Sequence, residues 1–392
     1  MTERAEAGAT PSKTAAPAAA RWRDAWARWR NRLLASPRFQ RWAAGFPLTR
    51  RVARRRSRAL FDLCAGFVYA QVLFACVRLQ LFQILNEGAQ TPDELAPRLS
   101  LSLDATDRLL RAAAALDLVE ARAGGRYGLG PMGAVVLGNP GIAAMVAHHD
   151  RLYADLADPV ALLRGERADT ALSAYWPYAG AADPKAVTAD AAAPYSALMA
   201  QSQPMIAAEV LDAYPFRKHT CLLDVGGGDG RFLTAVAESA PNLTLWLFDL
   251  PGVVPHARTR FESAGLDARV SIFSGDMFAD PLPQGADVVT LVRILHDHDD
   301  THVLAILKAV HAALPDGGTV VVAEPMAETR DAEPVGDAYF GFYLLAMGRG
   351  RPRSPARNAE LLGQAGFSAV QEHPTRQPFL TRVMSAKRES VI

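Results

Sequence analysis

Cysteine is scarce in this 392-residue chain: Cys64, Cys76 and Cys221 stand far apart, with no C-x-x-C spacing and no histidine cluster beside them. That spacing excludes a disulfide framework and a zinc site, so buried thiols in a reducing compartment and no bound metal are expected. Long apolar runs are also missing. Residues 1–20 have no apolar segment of the kind a secretory leader needs, and none is expected there. The most apolar stretch, 63–77, contains Gln71 and lies between Asp62 and Arg78. It falls short of the roughly 20 residues that cross a bilayer, and it predicts a buried helix. Acid is nearly absent from one region: residues 21–58 hold thirteen arginines and Asp24 alone, a charge of +12 in a chain that sums to +1, which leaves −11 elsewhere. With 50% hydrophobic residues, the chain has enough apolar surface for a large core in two or more domains.

The basic region also holds Trp22, Trp26, Trp29 and Trp42. Trp22, Trp26, Trp29 and Leu33 are spaced i, i+4, i+7, i+11, one face of a helix, with arginines around the rest. Tryptophan favours the headgroup boundary and arginine favours anionic lipid, which predicts a helix lying in a membrane surface. Packing of the tryptophans on the acidic body is the competing reading. The run Arg50, Arg51, Arg54, Arg55, Arg56, Arg58 also has the composition of a nucleic-acid patch, although no nucleic-acid partner is expected.

After the apolar stretch the pattern is helix, turn, helix and two-stranded ribbon, a winged helix. Thr91 and Pro92 open one helix, Asp104 caps the next, and Gly124 and Gly125 turn the ribbon. A DNA-binding role is disfavoured, because Asp104, Asp107 and Asp117 offset Arg108 and Arg111 where phosphate contact would need net positive charge. Helical patterns follow over 141–165 and 188–213. His148, His149 and Asp150 adjoin, but neighbouring histidines on a helix point apart, so packing is expected rather than a metal.

The densest chemistry lies in LLDVGGGDG, 222–230, an apolar strand running into a glycine-rich turn and then a helix. Asp224 ends the strand, and Gly226, Gly228 and Gly230 give G-x-G-x-G, which suits a mononucleoside better than the dinucleotide pattern G-x-G-x-x-G. Asp249, followed by Leu250, ends a second strand where an acid can accept hydrogen bonds from ribose hydroxyls. Asp276, Met277 and Phe278 follow a third strand, and an acceptor plus apolar surfaces there suits an adenine. His296 lies just past a fourth strand, where open α/β sheets bind ligands, and an imidazole there can act as a base.

These runs, DVGGGDG, FDLP, GDMF and LHDH, resemble the class I S-adenosylmethionine-dependent O-methyltransferases acting on small molecules, with His298 where relatives carry tryptophan. The resemblance implies an α/β fold: a doubly wound, Rossmann-like methyltransferase sheet with an N-terminal helical winged-helix domain that dimerises and closes the acceptor pocket. Three regions are expected: an arm (1–58), the helical domain (59–200) and the methyltransferase domain (201–392). S-adenosyl-L-methionine is the implied cofactor, His296 the implied base and Glu324 its supporting acid; Arg293 matches bacterial members of the family. Two departures stand out: Pro352 occupies the position of a second glutamate found in many relatives, and Val292 replaces a lysine of plant members.

From residue 22 onward the chain is most similar to the carotenoid O-methyltransferases of purple photosynthetic bacteria. That likeness implies an acyclic hydroxycarotenoid acceptor, a wall of Met199, Phe340, Phe342, Tyr343 and Met347, a homodimer, and a cytoplasmic enzyme peripheral on the inner photosynthetic membrane. A phenolic or polyketide acceptor, a non-catalytic cofactor binder and a winged-helix regulator remain open alternatives.

Overall fold

The computed structural model describes residues 18–167, 169–176 and 184–389. Two compact units emerge, Met1–Val72 and Leu73–Ile392.

In the first unit the arm is helical: Ala18–Ala35, then Pro37–Gly45, then the start of a long helix, Arg50–Arg78. Ser36 and Pro37 set the first break, since Pro37 is accommodated at a helix start and Ser36 caps it. Trp22, Trp26 and Trp29 are exposed, and Trp42 stacks on Phe46 at 5.0 Å. The expectation of a buried helix over 63–77 needs correction. The segment is helical, but it continues a 29-residue helix, and Leu63 and Phe67 are 79% and 72% exposed. Among the described residues this helix has an 18-residue window apolar enough, by length and composition alone, to cross a membrane.

The second unit begins with the winged helix. Thr91 and Glu94 form a reciprocal capping box at the start of Pro92–Leu99. Leu103–Ala115 is capped by Ser102 rather than by Asp104. Asp104 lies inside the first turn, where it complements the helix dipole and bonds Arg108, while Asp107 bonds Arg111. Strands β1 (Val119–Arg122) and β2 (Arg126–Leu129) form the antiparallel ribbon.

Seven strands make the main sheet: β3 (Cys221–Val225), β4 (Thr244–Asp249), β5 (Val270–Ser274), β6 (Val288–Val292), β7 (Thr319–Glu324), β8 (Phe367–His373) and β9 (Arg382–Arg388), in the order β5-β4-β3-β6-β7-β9-β8. Pairings from β5 to β7 are parallel, and β9 runs antiparallel between β7 and β8. β3, β6 and β7 are buried along their whole length, as strands covered on both faces must be. Strand order reverses between β3 and β6, so the loops leaving their carboxyl ends part and open a crevice. The helix Ala189–Ala213, capped by Thr188, carries Met199, Ser202, Met205 and Ile206, which line the cavities of this unit.

Candidate active site

A cavity of about 360 Å³ occupies the crevice. Gly226, Gly228 and Gly230 adopt φ of +73°, +60° and +81°, so the turn needs residues without a side-chain penalty. Gly226 and Gly228 line the cavity. Gly230 does not; a Cβ there would lie 2.4 Å from the Phe261 ring, so a glycine lets the turn pack against the helix Val254–Ser263. Asp224 lines the cavity and accepts a 2.7 Å bond from Thr290 Oγ1. Burial, opposed by that bond and aided by the charge of Asp249, pushes its carboxyl up to about 7.

Asp249 holds the turn in place, accepting 2.7 Å bonds from the backbone N–H of Gly228 and of Leu250. Burial still pushes its carboxyl up to about 6. Leu250, Asp276, Met277 and Phe278 complete the expected set along the wall. Trp176, His298, His302 and Arg349 line the cavity too, and sequence reasoning had not placed them there. His298 and His302 lie edge-on to Phe278 at 5.2 and 5.3 Å. Burial, helped by the nearby cations, drops His298 to about 4, so it presents a neutral aromatic ring where relatives have tryptophan.

A second cavity, of about 330 Å³, adjoins the first. Met199, Arg293 and Asp297 line both. Arg293 stands at φ +60°, a conformation that costs a non-glycine residue about 1–3 kcal/mol. The strain is held by Arg293 N–H donating to Ala323 O at 2.7 Å, and by Nη1 and Nη2 reaching Ser202 Oγ and Met199 Sδ at 2.9 and 2.8 Å. Expected as a cofactor residue, Arg293 lines the first cavity and the second as well.

His296 lines the second cavity and is buried. Its backbone N–H donates to Glu324 Oε2 at 2.9 Å. Nδ1 lies 3.4 Å from the same oxygen but out of line for a hydrogen bond, and Nε2 lies 3.2 Å from Asp297 Oδ1. Glu324, fully buried at the end of β7, thus grips the main chain of the histidine first and its ring second; Asn358 Nδ2 bonds its other oxygen at 3.4 Å. Burial disfavours a charged imidazole here, but the Asp297 and Glu324 carboxylates outweigh it and hold the ring above its usual 6.5.

The stretch that departs from relatives clamps this loop. Gly350 passes so close to His296 that a Cβ would meet its carbonyl, and Arg351 N–H donates to that carbonyl at 2.9 Å. Arg353, 2% exposed, donates to Leu295 O and His298 O and pairs with Asp300. Pro352 supplies no acid, and Asp297 is the second carboxylate against the histidine.

The rest of the second cavity is apolar. Tyr339, Phe340, Tyr343, Leu344 and Met347 line it, spaced as one helical face across the π-helical turn Pro334–Phe340 and the helix Gly341–Met347. Phe342 falls off that face and does not line the cavity, a correction to the expected wall. His149 Nε2 meets Tyr339 Oη at 2.8 Å and His148 Nε2 meets Tyr343 Oη at 3.1 Å. The adjacent histidines brace these helices, and burial keeps both rings below their usual pKa. Among the described residues no cluster has the makings of a metal site.

Residues 153–368 match the sequence profile of an O-methyltransferase domain, and 61–139 that of an O-methyltransferase dimerisation domain. The chain belongs to this O-methyltransferase family. It is 44% identical to the demethylspheroidene O-methyltransferase of Cereibacter sphaeroides over 92% of its own length and 94% of that protein's. Identity to the enzyme of the same name from Rhodobacter capsulatus is also 44%, over 87% and 85%. Among solved structures, human N-acetylserotonin methyltransferase in complex with SAM superposes with a TM-score of 0.69 at 25% identity, covering 86% of this chain and 98% of that one.

Proposed function

We propose that this enzyme methylates the terminal hydroxyl of an acyclic hydroxycarotenoid. The observation that carries the reading is the 44% identity to two demethylspheroidene O-methyltransferases across nearly the whole of each chain. S-adenosylmethionine fits the first cavity: Asp249 offers a carboxylate to ribose, Gly226 and Gly228 leave room for close backbone approach, and Asp276, Met277, Phe278 and His298 offer one acceptor and several ring or thioether surfaces. Bound there, the cofactor supplies an electrophilic methyl on a sulfonium that leaves as a neutral thioether.

The chain's own residues do the rest. The second cavity takes the apolar end group and brings its hydroxyl to His296. The neutral imidazole accepts the hydroxyl proton as the oxygen attacks, and Asp297 and Glu324 stabilise the imidazolium that forms. Met199, Arg293 and Asp297 line both compartments, and the methyl passes where the two meet. Incubation of the purified protein with labelled cofactor, a panel of hydroxycarotenoids and a catechol tests this; label entering the catechol alone would replace the carotenoid reading with a phenolic one.

The same reading includes a homodimer through 59–140, supported by the dimerisation-domain match and the uncovered apolar face of Arg50–Arg78. Light scattering giving a mass near the monomer's 42.2 kDa would reject it. It also includes docking of 21–58 on anionic lipid at the cytoplasmic face of the inner photosynthetic membrane, where each basic side chain contributes about 1 kcal/mol, screened by salt. Deleting 21–58 should release the protein from anionic vesicles at low salt; equal co-sedimentation of both forms would end the membrane reading.

A further inference from the structure

The second cavity is too small for the acceptor proposed above. An engineered protein cavity of about 150 Å³ holds one benzene ring, so 330 Å³ accommodates on the order of a dozen carbons, about a third of a chain of roughly forty. The remainder has to leave the cavity.

One side chain marks where. Of the residues lining this cavity, Phe379 alone is exposed, at 41%. Met199, Arg293 and Asp297 line this cavity and the cofactor cavity alike, so that side is where the methyl must arrive and not where the chain can leave. Phe379 sits on the loop before β9, which is fixed from beneath: Glu209, 6% exposed, accepts from the backbone N–H of Arg376 at 2.7 Å and of Gln377 at 2.9 Å. Thr375 Oγ1 then donates to Thr381 O at 2.9 Å and closes the loop on itself. A buried carboxylate spent on two loop amides holds an aromatic ring at a mouth, a position it would not keep on a free loop.

From this we infer that only the hydroxyl-bearing end of the acceptor enters, that the polyene leaves past Phe379, and that Phe379, positioned by Glu209, sets the room left for that departing chain. The inference rests on the carotenoid reading. Recognition then depends on the end group and the first few carbons, and the far end goes unread.

The test compares wild type, Phe379→Trp and Phe379→Ala on a full-length hydroxycarotenoid and on a short branched tertiary alcohol with the same end group. Phe379→Trp should lower kcat/KM for the carotenoid at least about tenfold while changing the short alcohol less than about twofold, a discrimination of the size a few ring atoms produce in an apolar pocket. Phe379→Ala, which widens the mouth, should cost neither acceptor more than about twofold. Cofactor Kd should be unchanged in both variants, which separates a gating effect from misfolding. Equal losses on both acceptors in Phe379→Trp, none on either in that variant, or a larger loss in Phe379→Ala than in Phe379→Trp would overturn the inference, as would a short alcohol that neither reacts with nor inhibits the wild type. A wild-type enzyme idle on every carotenoid would overturn the function itself, and with it the inference, in an arm where no variant is involved.

Discussion

The two cavities are nearly equal in volume, about 360 and 330 Å³, and are built in opposite ways. Most of the cofactor cavity comes from one stretch of chain, 224–302, in which the parallel strands β3, β4 and β5 each end in an acid or a glycine turn. Asp249 there is held by the backbone N–H groups of Gly228 and Leu250. The acceptor cavity is gathered from six separate segments, around residues 145, 202, 295, 325, 340 and 379, and most of its lining is apolar side chain. The contrast shows where each task is encoded. Holding a nucleoside requires backbone geometry, which local sequence dictates; choosing an acceptor requires volume and shape, which arise from helices packing over long separations.

If the compartments are functionally separate, replacing a residue of one should leave the other's task untouched. His296→Ala is the most severe case. Removing the base should lower kcat about 10² to 10⁴-fold, yet calorimetric titration should return a cofactor Kd close to wild type. Turnover surviving within a few-fold would mean that water or another side chain takes the proton. Asp249→Ala is the reciprocal change. It removes a charge-assisted acceptor from the cofactor side and should cost about 2 to 3 kcal/mol of cofactor affinity. Because burial pushes this carboxyl up to about 6, wild-type affinity should itself weaken as pH falls through that value and the carboxylate is neutralised. Affinity flat across that range, or unchanged in the variant, would remove Asp249 from the ribose contact.

The same contrast explains what could be read from the sequence. The strand ends, the glycine turn, Asp249 and Asp276 were legible because each is a short motif with a local cause. His296 and Glu324 were legible only through the family resemblance and the rule that ligands sit beyond carboxyl strand ends. Asp297 was not recognised as a partner of the histidine, although it is the next residue. The one-turn helix Leu295–Asp297 brings adjacent side chains to one site, which ordinary helical spacing does not suggest. Tyr339 was missed and Phe342 wrongly included, since apolar residues run through 338–347 without marking which face meets the cavity. Phe379 gave no signal, because a lone aromatic in a loop becomes a lining residue only once Glu209, far away in sequence, has bound that loop.

Asp297 is where the separation should be weakest, because it lines both cavities and touches His296. Its carboxylate is one of two that hold His296 above 6.5 against the burial that would lower it. A base works in its neutral form, so kcat/KM should fall as pH drops through a midpoint above the ordinary imidazole value. Asp297→Asn keeps the shape and removes the charge; burial then prevails over a single remaining carboxylate, and the acid limb should move to lower pH. The plateau should also drop, by only a few-fold, because Glu324 still stabilises the imidazolium. Cofactor Kd, measured alongside, should change less than in Asp249→Ala. An acid limb that stays in place would show that the Asp297 charge is neutralised by Arg293 rather than felt by the histidine, and the two compartments would then be coupled through the arginine alone.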